Sequence, residues 1–319
     1  MSEMPQVIVL DTGYDSYEYE RQALEKAGYD LVLYDGPTHD RNAKIAFCRA
    51  ARAIFIRATV IDEEFLEANP DLCFIVRYGV GYDNVDLEAA KRYGIRVANV
   101  QAYANHSVSE HALALMFACS RALGCANEIN TPFGCPPRQH MFEFNDKTLG
   151  IIGLGRIGGT LALKGRTLFQ RILAYDPYIS SARFAQLGVE QSDFIALIEA
   201  SHVISLHCNL TGETRGMIDH RAFSHMLKRP ILVNTARGPI VVEDALLSAI
   251  SSGQIHSAGL DVFCEEPLSH SSPLRNHPRI ILTGHYAWYS DEASQRLQQR
   301  ATDHMITFLK GQIPEDCLV

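Results

Sequence analysis

Leu149-Gly-Ile-Ile-Gly153-Leu-Gly155-Arg-Ile-Gly158 decides the fold, together with Asp176, which follows 23 residues after Gly153. Leu149 to Ile152 is a short apolar, β-branched run that reads as a strand. Ile157 to Phe169 continues with helical spacing (Ile157, Leu161, Leu168), and Ile172-Leu-Ala-Tyr175 reads as the next strand, with Asp176 at its carboxyl end. Strand, glycine turn, helix, strand and acid is the order that binding a dinucleotide requires. The first glycines let the backbone turn tightly against a pyrophosphate, and the third lets the helix pack close to the strand. The free N–H groups at the helix start hold phosphates, and the acid accepts hydrogen bonds from a ribose diol. The triplet alone would fit a tight turn in another α/β protein; its flanks and the spaced acid make it specific. Pro177 and Tyr178 follow Asp176 with no basic residue beside it, so a 2′-phosphate would be repelled there, which favours NAD over NADP.

The first hundred residues repeat a strand–helix rhythm. Strands are predicted at Val7–Leu10, Leu31–Tyr34, Ala53–Ile56, Phe74–Val76 and Ile95–Ala98, and helices at Ser16–Ala27, Asp62–Ala68 and Leu87–Tyr93. This is a parallel, flavodoxin-like pattern without a glycine fingerprint of its own. Ser107 to Ala126 reads as a long apolar helix, and residues 131–146, with Pro132, Gly134, Pro136 and Pro137, as a loop. Beyond the fingerprint, strands are predicted at Val203–Leu206, Ile231–Asn234, Ser257–Leu260 and Ile280–Thr283. Helices are predicted at Asp193–Ala200, Glu243–Ser251 and Asp291–Leu309. The fold class is therefore α/β, with two doubly wound parallel sheets.

At 319 residues, 47% apolar and 21% charged, the chain is long for one domain and comfortable for two. A net charge of −8 without a basic run argues against nucleic acid or an anionic membrane as main partner. The eight cysteines are scattered with no CxxC pair, which argues against a zinc site or disulfide scaffold and for a reducing, cytoplasmic compartment. No leader pattern or membrane-spanning run is expected.

Three segments lie at or just past the carboxyl ends of predicted strands, where ligands bind open α/β sheets: Asn234-Thr-Ala-Arg237-Gly238, Asp261-Val-Phe-Cys-Glu-Glu266-Pro267 and Thr283-Gly-His285-Tyr-Ala-Trp288. An arginine fork suits a carboxylate. A histidine suits proton transfer near neutral pH, and a neighbouring carboxylate favours its protonated form. Singly each has a bland reading; together, after one dinucleotide unit, they are the anchor, acid/base and orienter of a hydride-transfer site.

The chain resembles the D-isomer-specific 2-hydroxyacid dehydrogenase family, most clearly from about residue 50 to 310. The stretches that carry the resemblance are Arg77-Tyr-Gly-Val-Gly-Tyr-Asp-Asn-Val-Asp86, Val108-Ser-Glu-His-Ala-Leu113, Leu149 to Gly158, Tyr175-Asp-Pro-Tyr178, Asn234 to Gly238, Gly259-Leu-Asp-Val-Phe263 with Glu266-Pro267, and the His285 segment. It implies a catalytic triad of Arg237, Glu266 and His285. It implies an NAD cofactor lying against Val80, Gly153, Gly155, Arg156, Ile157, Gly158, Asp176, His207, Asn209, Thr214, Thr235, Ala236, Arg237, Asp261 and His285. The substrate would be a small 2-keto or 2-hydroxy acid held by Val80, Gly81 and Arg237, with Tyr78 and Trp288 as aromatic walls. The implied reaction is reversible hydride transfer at C2: Arg237 anchors the carboxylate, His285 gives or takes the proton, and Glu266 stabilises the imidazolium. The implied architecture is split, residues 1–101 plus 290–319 forming the substrate domain and 102–289 the Rossmann cofactor domain, with a cleft that closes and a homodimer joined through the cofactor domain.

Departures from the family pattern are His207-Cys-Asn209 in place of His-x-Pro, Gly165 within the fingerprint helix, Gln170 in place of the glycine that commonly ends that helix, and Gly284 in place of proline before His285, which leaves the histidine's approach less rigid. Val80 stands where the phosphite-oxidising branch carries lysine. No basic cluster beyond Arg77 is evident near Val80 to serve a phosphorylated substrate. His285-Tyr-Ala-Trp288-Tyr-Ser290 resembles the C-terminal-binding-protein corepressors, so the rival function is an NAD(H)-sensing, partner-binding protein. The retained triad favours the enzyme.

Overall fold

The structure, a computed structural model, describes residues 4–125, 140–275 and 277–319. In chain order the first elements are β1 (Gln6–Val9), α1 (Glu18–Lys26), β2 (Asp30–Leu33), α2 (Arg41–Phe47), β3 (Ala53–Ile56), α3 (Glu63–Glu67), β4 (Phe74–Arg77), α4 (Leu87–Arg92), β5 (Arg96–Ala98) and α5 (Asn105–Ser120). They are followed by β6 (Thr148–Ile152), α6 (Arg156–Gly165), β7 (Arg171–Tyr175), α7 (Ser181–Leu187), β8 (Glu190–Gln191), α8 (Phe194–Ala200) and β9 (Val203–Leu206). The last are α9 (His220–Ser224), β10 (Ile231–Asn234), α10 (Glu243–Ser251), β11 (Ser257–Leu260), β12 (Ile280–Leu282) and α11 (Asp291–Leu309). The chain divides into two compact units, residues 1–103 with 290–319, and residues 104–289.

Unit 1 is built on a parallel five-stranded sheet of order β2-β1-β3-β4-β5, the flavodoxin-like order. Its strands are short and apolar because both faces are covered: all four residues of β3 are buried. Asp40, Asp62 and Asp86 begin α2, α3 and α4, each carboxylate accepting the N–H three residues on.

Unit 2 is a parallel seven-stranded sheet of order β12-β11-β10-β9-β6-β7-β8. The order in which strands are added reverses between β6 and β9, so the loop after β6 opens at the topological switch point. Alternate strand residues feed two cores. Leu149, Ile151, Val203, Ile231 and Val233 pack with Leu115 and Met116 of α5 and Leu161 of α6. Ile152, Ile204, Leu206 and Leu232 pack with Leu197 of α8 and Leu246 and Ile250 of α10.

The α/β class with two parallel sheets is as the sequence predicts. The elements differ in detail. The helix predicted to reach Ala126 ends at Ser120, because Ala122 turns left-handed at φ 52°; residues 126–139, including most of the predicted proline-rich loop, lie outside the described set. Helices α2, α7 and α9 have five to seven residues, too short to show a helical period in the sequence. Gly165 closes α6 where a Cβ would press on Leu149 and Ile172, 3.2 and 3.3 Å away, so the glycine sets how closely the helix lies on the sheet.

Candidate active site

The fingerprint turn is shaped for a pyrophosphate. Gly153 has φ 93°, and a Cβ there would meet the backbone of Cys208 at 2.5 Å. A Cβ on Gly158 would strike the carbonyl of Gly153. At Gly155, by contrast, a Cβ would meet nothing within 4 Å: the space over the start of α6 is open to an incoming group, and no side chain caps that helix end. Arg156 and Ile157 supply the first N–H groups of α6. Asp176 sits at the end of β7, where its Oδ2 accepts from the Leu154 N–H at 2.8 Å and its Oδ1 from the Tyr178 N–H at 3.0 Å. Both bonds fix the carboxylate beside the turn while leaving lone pairs for a ribose diol.

Along the neighbouring strand ends, two buried polar atoms have no partner among the described residues: Thr235 Oγ1 and His207 Nδ1. Burial also pushes the His207 ring down to about 4, so it stays neutral, its Nε2 paired with Ser205 Oγ at 2.8 Å. Thr214 Oγ1 donates to the Asn209 carbonyl at 2.6 Å and accepts from the Thr211 N–H, so the Asn209 departure keeps an ordered loop. Open glycine turn, anchored acid and orphaned hydroxyl together fit a nicotinamide dinucleotide.

The catalytic candidates come from three loops of the same unit. Buried Asn234 folds its own turn, accepting from the Ala236 N–H at 3.0 Å and donating to the Arg237 carbonyl at 2.9 Å, which presents Thr235, Ala236 and Arg237 in sequence. Glu266 Oε1 accepts from the Phe263 N–H at 3.0 Å, and its Oε2 lies 2.6 Å from His285 Nδ1. Burial alone would raise the Glu266 carboxyl, but the His285 and Phe263 hydrogen bonds and the Arg237 charge hold it below its ordinary value. An ionised carboxylate only accepts, so Nδ1 carries the proton and Nε2 is the free edge of the ring.

His285 is held at φ 57°, a left-handed conformation that costs a histidine energy unless the surroundings enforce it. Asp261, 1% exposed, is what enforces it. Its carbonyl accepts the His285 N–H at 2.7 Å, and its carboxylate accepts from Thr283 Oγ1 at 2.5 Å and from the Tyr286 and Ala287 N–H groups at 3.1 and 2.9 Å. His111 on α5 reaches Thr283 Oγ1 at 2.9 Å, and Trp288 Nε1 donates to the His285 carbonyl at 3.1 Å. The loop is therefore pinned by hydrogen bonds where the family pattern uses a proline, which corrects the expectation of a less rigid approach. Thr283, His111 and Asp261 as a clamp were not legible in the sequence, because the partners lie 22 and 172 residues apart.

In unit 1 the N–H groups of Val80 and Gly81 have no hydrogen-bond partner among the described residues; the Val80 carbonyl accepts from Asn99 at 2.6 Å. Tyr78 does not serve as a pocket wall. Its ring is 2% exposed, stacks on Phe55 at 5.0 Å and donates its hydroxyl to buried Glu20 at 3.2 Å, because side chains alternate along the strand end and Tyr78 faces the core. Arg57, passed over in the sequence, follows β3 one position beyond Ile56, which is in register with Arg77 at the end of β4. It is placed by Asp11, whose Oδ2 accepts the N–H groups of Arg57, Ala58 and Thr59 at 2.7 to 2.8 Å.

A doubly wound sheet with a glycine cradle and an acid at the end of the second strand defines an α/β protein of the dinucleotide-binding type. Residues 113–287 match the family model described as D-isomer specific 2-hydroxyacid dehydrogenase, NAD binding domain. The chain is 38% identical over 293 residues to the D-3-phosphoglycerate dehydrogenase of Mycobacterium leprae, covering 89% of this chain and 54% of that relative, so it spans about half that protein's length. It is 32% identical over 315 residues to the hydroxypyruvate reductase of Blautia hydrogenotrophica, covering 96% and 97%. The crystal structure of the Aquifex aeolicus D-lactate dehydrogenase complexed with NAD and lactic acid superposes with a TM-score of 0.85 at 27% identity, covering 98% of this chain and 99% of that one. The chain belongs to the D-isomer-specific 2-hydroxyacid dehydrogenase family, as its motifs led one to expect, and it carries that family's NAD-binding domain.

Proposed function

We propose that the protein is an NAD-dependent oxidoreductase that interconverts a small 2-keto acid and its D-2-hydroxy acid. The observation that carries this reading is the 2.6 Å pair between Glu266 and His285 Nδ1, which leaves Nε2 free on the unit that holds the cofactor turn. When bound, NAD(H) supplies the hydride donor or acceptor at C2. Arg237 offers its guanidinium fork to the substrate carboxylate and polarises the C2 oxygen. In reduction His285 Nε2 gives its proton to that oxygen as negative charge develops, and Glu266 holds the imidazolium; in oxidation Nε2 takes the proton back. Val80 and Gly81 are proposed as further carboxylate donors, and Trp288 as a residue that acts through the His285 loop.

Arg57 and Arg77 at adjacent strand ends, with the buried Tyr14 hydroxyl unpartnered among the described residues, support a substrate whose group beyond C2 is polar or anionic rather than branched or aromatic. The test is NADH consumption with glyoxylate, hydroxypyruvate, 3-phosphohydroxypyruvate, 2-ketoisovalerate and phenylpyruvate. The expected order has hydroxypyruvate or its phosphate first. Turnover with none of them, despite NADH binding, would sink the reading.

Preference for NADH over NADPH rests on Asp176. Asp176→Ala is expected to raise the KM for NADH about tenfold, the loss of one charge-assisted hydrogen-bond site, while leaving NADPH use unchanged or improved. Equal losses for both cofactors would refute the assignment. A homodimer through unit 2 is supported by exposed Phe117, Leu123 and Leu163, and a cytoplasmic site by the scattered, free cysteines of the described residues. No described helix is long and apolar enough to cross a membrane.

A further inference from the structure

Parallel strands give unit 1 two chemically distinct edges. The carboxyl ends carry Arg57 and Arg77; the amino ends carry a pocket of about 240 Å³ that the proposed reaction does not use, lined by Arg52, Arg96, Tyr29, Phe308, Ile313 and Pro314 among others. Arg52 immediately precedes β3 and Arg96 opens β5. Between them the register runs Ala53 to Phe74 to Arg96, and Cys73 ties both neighbours, donating to the Arg52 carbonyl at 2.8 Å and accepting the Arg96 N–H at 3.0 Å. The register sets Arg96 level with Ala53, so Arg52 stands one position earlier and two strand spacings away, about 10 Å; both residues line the pocket. Both residues are exposed, and among the described residues neither guanidinium makes a hydrogen bond or an ion pair, in a chain whose net charge is −8.

The opposite wall is apolar and fixed. Phe308 stacks on Phe74 with ring centroids 4.2 Å apart. The segment after α11 is tied down by Asp316, which pairs with His304 at 3.1 Å and accepts the Gln101 N–H at 3.0 Å, and by the Leu318 N–H donating to the Val97 carbonyl at 2.7 Å. Ile313 and Pro314 are thereby presented by an ordered backbone.

We propose that this pocket is a second ligand site, which binds a small organic anion with its carboxylate or phosphate head on Arg52 and Arg96 and a short apolar body against Phe308, Ile313 and Pro314. A volume of about 240 Å³ falls below the roughly 300–1,000 Å³ of sites for larger ligands, so the occupant is metabolite-sized and not a dinucleotide.

Isothermal titration calorimetry on the full chain, saturated with NADH so that the unit 2 site is covered, tests this with phenyl phosphate and 3-phenylpropanoate as probes and 3-phenylpropanamide as the uncharged control. Saturable binding of at least one anion is expected, the tighter of the two identifying the preferred head group, with the amide at least tenfold weaker. Arg52→Gln and Arg96→Gln should each weaken the anion roughly tenfold. Ile313→Glu, at an exposed position that folding tolerates, should weaken it similarly by placing a carboxylate at the guanidinia. Arg237→Gln should leave it unchanged. No saturable binding of either anion, binding indifferent to the Arg52→Gln/Arg96→Gln pair, or binding lost in Arg237→Gln would each overturn the proposal.

Discussion

His285→Ala is expected to lower the rate of 2-keto acid reduction by about 10³-fold, roughly 4 kcal/mol of transition-state stabilisation, with NADH affinity retained. The size follows from what the side chain supplies. Nε2 is its free edge, Nδ1 being engaged by Glu266 at 2.6 Å, so alanine removes the only positioned proton donor in the proposed chemistry while leaving the glycine cradle and Asp176 intact. Glu266→Gln should behave differently. The ring keeps a partner, but the neutral amide no longer stabilises the imidazolium that forms as the proton moves, so the loss should be smaller, about tenfold. Stopped-flow NADH consumption separates the two. An unchanged rate in His285→Ala, or a Glu266→Gln rate equal to that of the native chain, would remove the acid/base assignment.

Much of this site could be read from residues alone, and the reason is physical. A phosphate cradle needs glycine where backbone must approach backbone, as at Gly153 against Cys208, so the constraint is written in the residue type. Strands buried on both faces, such as β3 and β10, are continuous apolar runs that stand out without an alternating pattern. What stayed hidden depends on distance along the chain. The sequence marks Asp261 as a cofactor contact, but not that the loop around His285 folds over its carboxylate. Arg57 looks like a solvated charge until Asp11, 46 residues earlier, takes its N–H. The Arg52–Arg96 pocket needs the segment after α11 as its second wall, more than two hundred residues from β5 in the chain. Tyr78 misled for a local reason: an aromatic beside a glycine-rich turn reads as a pocket wall, but its place in the alternation turns it inward onto Phe55.

Asp11→Asn is expected to destabilise unit 1 by about 3–5 kcal/mol at neutral pH, because it breaks one side of a buried ion pair and leaves the Lys44 ammonium without its countercharge. Lys44 Nζ and Asp11 Oδ1 are 2.7 Å apart with side chains 7% and 8% exposed, and Lys44 also donates to Thr59 Oγ1 at 3.0 Å. The same carboxylate collects the Arg57, Ala58 and Thr59 N–H groups, so the loop that follows β3 loses its anchor as well. Burial by itself would raise the Asp11 carboxyl; the hydrogen bonds from Lys44, Thr59 and Arg57 overcome it and hold the group at about 2, against 3.8 for the free side chain. The folded chain therefore binds this proton less readily than the unfolded one. The resulting stabilisation, about 2 kcal/mol, is complete above pH 5 and is lost as the pH falls from about 4 to 2. Urea unfolding of the native chain and Asp11→Asn between pH 6 and 3 should show the gap between them narrowing by about 1 kcal/mol at pH 3. A gap that stays constant over that range would mean that the carboxylate titrates alike in both states and that the Asp11–Lys44 pair is not what holds the loop carrying Arg57.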